Sequence, residues 1–151
     1  FASAEFGAGY QAVVSRLALH HLEDEAKEAL VTRVFEALAP GGVFVNSDMV
    51  AGACEEERAA MMAEWRRYMT SRGDDPDEWV QWLGGDDDLP ATEQAQLGWL
   101  REAGFTAVQV IWKRAGFATF RAERPTSESV PAGTVPPRGR RRGARGSTPA
   151  P

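Results

Sequence analysis

The sequence predicts an α/β protein with strands covered by helices, and three observations carry the prediction. These are a strand-helix-turn-strand run near the start, a capped helix ending at Gly104, and a closing pair of strand signals. Tyr10 to Ser15 (YQAVVS) is a β-branched run of strand length. Glu23 to Leu38 then places Leu30, Val34 and Leu38, with Val31 and Phe35 alongside, at the 3.6-residue helical period. Ala39-Pro40-Gly41-Gly42 stops that helix, because Pro40 disfavours helical geometry in its predecessor and the glycines permit positive φ. Val43 to Asn46 follows as a second strand. A β-α-β unit of this kind makes parallel strands with a right-handed crossover, so helices are expected on both faces of the sheet.

Helix continues in the pattern from Glu55 to Arg72, with Met61 or Met62, Trp65, and Tyr68 or Met69 forming a stripe. Pro76 opens a shorter helical piece containing Trp79, Trp82 and Leu83, and Gly84 to Pro90 (GGDDDLP) reads as a loop. Thr92 is a predicted N-cap for a helix running to Ala103, with Leu97, Leu100 and Ala103 on its buried face. Val108 to Lys113 and Gly116 to Arg124 are strands joined by a tight connection at Arg114-Ala115-Gly116, which predicts an antiparallel hairpin.

Charge divides the chain in two. From Pro125 onward five arginines (Arg138, Arg140, Arg141, Arg142 and Arg145) face one acid, Glu128, a net +4, so with an overall charge of −5 residues 1–124 carry −9. Residues 125–151 are rich in Pro, Gly, Ser and Arg and contain no aromatic residue, a composition expected to form a disordered tail. Electrostatic attachment of that tail to nucleic acid is the alternative, but no stacking residue accompanies the arginines. The chain opens at Phe1 without a basic leader, and no stretch reaches the roughly 18 apolar residues of a membrane helix. A cytoplasmic protein with no membrane partner is therefore expected. Cys54 is the single cysteine, so no internal disulfide can form.

Taken in order, three segments resemble the C-terminal part of class I S-adenosylmethionine-dependent methyltransferases of the small-molecule type. Val13-Val14-Ser15-Arg16-Leu17-Ala18-Leu19-His20-His21-Leu22, then a helix, then Leu38-Ala39-Pro40-Gly41-Gly42-Val43-Phe44 are similar to that family's fourth strand, next helix and fifth strand. Trp99-Leu100-Arg101-Glu102-Ala103-Gly104-Phe105 and the following hairpin resemble its last helix and reversed seventh strand. The resemblance covers Phe1 to Arg124. It implies a partial Rossmann-like sheet, strands four to seven with flanking helices and the last strand antiparallel, with S-adenosylmethionine as cofactor and a small-molecule acceptor. The glycine-rich turn and the ribose-binding acid of the family have no counterpart in these residues, so the half of the fold that carries most of the cofactor pocket is expected to lie outside them. The first recognised strand is then an edge strand, from which self-association is expected.

Ligands of open α/β sheets sit beyond the carboxyl ends of the strands, which selects Ser15 to Leu17 and Asn46 to Asp48. By the resemblance, Ser15, Arg16 and Leu17 line the methionine portion of the cofactor and Phe1 and Ala2 border its adenine. Ser15 can equally satisfy local backbone groups. His20 is a candidate general base or substrate contact, since imidazole titrates near neutrality, and packing at a helix entrance is the alternative. Adjacent side chains point apart, so His20 and His21 are not expected to form a metal site, and no metal is predicted. Asp48 is a candidate contact for a substrate amine or cofactor ammonium, against a capping or solvated role. The run Asp86-Asp87-Asp88 lacks the spacing of a calcium loop and reads as a solvated loop. Met62, Trp65, Trp79 and Trp82 are candidates for an apolar lid over the acceptor, or else core.

Overall fold

A computed structural model describes residues 6–80 and 88–126, the side chains of 79 and 80 apart. Phe1, Ala2, Trp82, Asp86, Asp87 and the arginines of the tail lie outside the described residues, as does the side chain of Trp79.

Strand β1 (Tyr10–Arg16) is followed by a 3-10 turn (Leu19–His21), helix α1 (Asp24–Ala37) and strand β2 (Leu38–Met49). Helices α2 (Glu55–Arg72), α3 (Pro76–Val80) and α4 (Glu93–Glu102) come next, then strands β3 (Thr106–Arg114) and β4 (Phe117–Glu123). The sheet order is β1-β2-β4-β3, with β1 parallel to β2 and the other two pairings antiparallel. Every predicted element that falls in the described residues is present, with ends shifted by a few residues.

The largest shift is at β2, which begins at Leu38 instead of Val43 and takes in the Pro-Gly-Gly turn. Gly42 makes this possible: a Cβ there would stand 2.8 Å from the Ala39 oxygen and 2.9 Å from the Tyr10 oxygen. The backbones of β1 and β2 approach each other at a place with no room for a side chain. At the other end of the sheet, Ala115 (φ 49°) and Gly116 (φ 81°) form a two-residue loop between β3 and β4. Positive φ at both central residues is what a tight, twist-matched hairpin turn requires.

The core is the buried cluster of Val31 and Val34 from α1, Leu38 and Phe44 from β2, Leu100 from α4, Phe105, and Ala118, Phe120 and Ala122 from β4. Phe105 meets Phe35 edge to face, with ring centroids 5.0 Å apart. Burial alternates strictly along β4 and along β2 from Gly42 onward, as expected where one face is packed and the other is not.

The expectation of helices on both faces is not met among the described residues. Helices α1 and α4 touch each other as well as the strands, so both lie on the same face. Helix α2 sits at the strand ends, where the Ala115 N–H donates to Glu64 Oε2 (3.1 Å) and the Arg114 guanidinium lies 4.9 Å from the Tyr68 ring centre. A row Val14-Val45-Arg121 therefore runs across a face that none of these helices covers.

Candidate functional site

The parallel pairing of β1 and β2 aligns their carboxyl ends, Ser15 beside Asn46 and Arg16 beside Ser47. Beyond Arg16 the chain turns sharply at Leu17, held at φ 49°, whose N–H donates to the Ser47 oxygen at 2.9 Å. Of the predicted cofactor-lining residues, Ser15 is half-buried on the packed face, whereas Arg16 and Leu17 are exposed.

The turn that follows brings the two candidate catalytic residues together. Asp48, only 1% exposed, accepts hydrogen bonds from the backbone N–H of Leu19 (2.8 Å) and of His20 (3.3 Å) at Oδ2. Its Oδ1 stands 2.5 Å from His20 Nδ1 and also accepts from the Met49 N–H at 2.9 Å. A buried carboxylate is stable only with such a set of donors, and this one is fully engaged inside the protein. Asp48 is thus buried and holds the His20 ring in place.

The far nitrogen of His20, Nε2, lies 3.5 Å from Asp88 Oδ1, and His21 Nδ1 lies 3.3 Å from the same oxygen. The two imidazoles do not diverge as expected: on the 3-10 turn their ring centres are 4.0 Å apart, because one reaches with its far nitrogen and the other with its near one. Asp88, read as part of a solvated run, is mostly buried. The backbone beside it is fixed, since the Leu89 N–H donates to the His20 oxygen (2.7 Å) and the Leu89 oxygen accepts from Lys27 Nζ. Lys27 is itself buried and pairs with Asp24 at 2.7 Å.

Sequence reasoning also missed Gln96 and the role of Asn46. The amide of Asn46 donates to Gln96 Oε1 at 3.4 Å, while Gln96 Nε2 reaches the Met49 and Ala91 oxygens, both at 3.4 Å. These bonds tie α4 and the segment before it to the end of β2. A polar residue at a core position of the α4 stripe was the available signal.

Next to this cluster is a cavity of about 310 Å³ lined by Met49, Val50, Met61, Met62, Trp65 and Phe117 among others. Trp65 is buried and Met62 partly exposed, so the two described lid candidates both reach one apolar hollow. Arg58 also borders it, with its guanidinium held by Glu55 (2.9 Å) and the Gly52 oxygen (3.3 Å).

No protein-family model matches the chain. It is 30% identical over 110 residues to a carboxy-S-adenosyl-L-methionine synthase of Chromohalobacter salexigens, covering 72% of this chain and 41% of that protein. A synthase of the same name from Campylobacter fetus is 26% identical over 114 residues, 74% of this chain and 49% of its own length. The chain thus spans less than half the length of these relatives. Among solved structures, an O-methyltransferase family 2 protein of Planctomyces limnophilus in complex with apigenin superposes with a TM-score of 0.58 at 12% identity, over 82% of this chain and 33% of that one. An O-methyltransferase family protein of Burkholderia thailandensis gives 0.56 at 15% identity, over 80% and 32%. Strand order, the antiparallel last strand and these similarities together show that the chain carries the fold of the class I S-adenosylmethionine-dependent methyltransferases and is related to that family.

Proposed function

We propose that the chain forms one wall of an S-adenosylmethionine site and serves methyl transfer to a small organic acceptor. The observation that carries this reading is an apolar cavity of about 310 Å³ at the carboxyl end of β2, the strand whose end is aligned with that of β1. A volume of that size is at the lower end of small-molecule sites, and strand ends of this kind are where open α/β sheets hold ligands.

When bound, S-adenosylmethionine supplies a methyl group activated by its sulfonium. The protein's share is then orientation and exclusion of water. Ser15 and Leu17 fit as lining on the cofactor side, being half-buried and exposed at a strand end where the chain turns away. The glycine-rich turn and ribose-binding acid of the family have no counterpart among these residues, so in this reading the remaining walls of the pocket come from segments outside them. On the acceptor side, Met61, Met62 and Trp65 offer an adaptable apolar surface.

Calorimetric titration of S-adenosylhomocysteine into the protein tests the reading. Saturable binding is expected, weakened about tenfold, or about 1.4 kcal/mol, by Leu17→Asp. Aspartate tolerates the left-handed backbone at that position, so the turn should survive while the lining becomes charged. Absence of binding both by the 151 residues and by a version extended upstream, each with an intact circular dichroism spectrum, would overturn the assignment and favour a non-catalytic interaction module that uses the uncovered sheet face.

A further inference from the structure

The geometry points to a divalent transition-metal site of the zinc class formed by His20 Nε2, His21 Nδ1 and Asp88 Oδ1. The inference rests on side-chain positions alone and does not depend on the methyl-transfer reading.

One ligand atom from each of the three residues lies within 4.8 Å of the others. The two distances to Asp88 Oδ1 are 3.5 Å and 3.3 Å. Nitrogen and oxygen ligands about 2.0–2.2 Å from a tetrahedral zinc ion stand about 3.4 Å from one another. Two edges of the required triangle are therefore already at coordination length, and the third lies within 4.8 Å.

The surroundings match what a metal-binding histidine needs. A ligating imidazole is held by a carboxylate on its other nitrogen, which fixes the ring and raises its basicity. Asp48 does this at His20 Nδ1 (2.5 Å) and is itself fixed by three backbone N–H groups. Asp88 is steadied through the Leu89 N–H bond to the His20 oxygen. Burial of His20 and Asp88 closes the site on the protein side, while His21, 52% exposed, leaves a fourth position facing solvent. Three protein ligands with an open fourth position is the arrangement of zinc sites that bind water or an oxygen ligand.

Titration with Zn²⁺, and with Co²⁺ as a spectroscopic probe, decides the matter on the metal-free protein. Saturable uptake of a single equivalent is expected, with the visible absorption of tetrahedral Co²⁺ and its loss on adding Zn²⁺. His21→Ala, at an exposed ring, and Asp88→Asn should each weaken binding at least tenfold. Asp48→Asn should weaken it between about ten- and a hundredfold through His20. Cys54→Ser removes the exposed thiol, which lies outside the cluster, and should change nothing. No saturable uptake, or uptake unchanged in both His21→Ala and Asp88→Asn, would overturn the site. Uptake lost in Cys54→Ser would do so as well, by placing the metal at the thiol.

Discussion

Asp48 shows how one side chain can organise a site it does not itself expose. Its carboxylate accepts from the backbone N–H groups of Leu19, His20 and Met49 and holds the His20 ring, all at the closed end of two parallel strands. Removing it leaves two buried donors, a partly buried one and an imidazole without their acceptor, which is far costlier than losing one exposed hydrogen bond. Asp48→Ala is therefore expected to lower stability by about 3 kcal/mol or more, and Asp48→Asn by less, because the amide keeps one acceptor oxygen. Urea denaturation followed by tryptophan fluorescence measures both, and an unchanged midpoint for the alanine variant would refute this account. The pairing was half legible in the sequence. The rule that ligands gather at strand ends selected Asp48, and His20 stood four residues past the neighbouring strand. Their contact was not legible, because it spans 28 residues and depends on the 3-10 turn aiming one ring inward. Asp88 was missed because a run of acids reads as solvated, and only the fold shows that its last member is drawn under the histidines.

Elements were read from sequence with most success where a local signal and a tertiary demand agree. Helix α2 has the predicted bounds because the acidic first turn at Glu55 to Glu57 and the stop at Gly73 act locally. Helix α4 begins at its predicted cap, where Thr92 Oγ1 accepts from the Ala95 N–H at 3.2 Å. That bond satisfies one of the otherwise unpaired donors of the first turn, so Thr92→Ala should cost about 1 kcal/mol and Thr92→Ser much less. Thermal unfolding of the two variants distinguishes a capping role from simple packing of the threonine methyl, since packing would make serine as costly as alanine. Where local and tertiary demands part, the sequence misleads. The Pro-Gly-Gly turn carries every sign of a loop, yet pairing with β1 and β4 draws it into β2, as the Gly41 N–H bond to the Arg124 oxygen (2.9 Å) and the return bond from the Arg124 N–H to Gly42 (2.8 Å) show.

At the scale of the whole molecule, the sheet has one packed face and one that α1 and α4 leave uncovered. Periodicity cannot reveal this, since the pattern of a strand tells which residues are apolar but not which segments come to cover them. Val14, 72% exposed, lies on the uncovered face of β1, and β1 pairs only with β2 among the described residues. The opposite edge, β3, is protected by a register break near Ile111 and by Lys113 and Arg114 at its end, features that discourage further pairing. Strand β1 has a register shift between Tyr10 and Ala12 but carries no charged side chain before Arg16. Two copies related by a twofold axis can pair β1 with β1 and bring their Val14 side chains together, an interface that closes on itself and does not propagate. Sedimentation velocity over a range of concentrations should therefore show a reversible shift towards a dimer. Val14→Lys should move that equilibrium towards monomer by at least tenfold while leaving the circular dichroism spectrum unchanged, because the side chain makes little contact within its own chain. A wild-type protein that stays monomeric at every concentration would show that the uncovered face and edge of β1 do not hold two copies together.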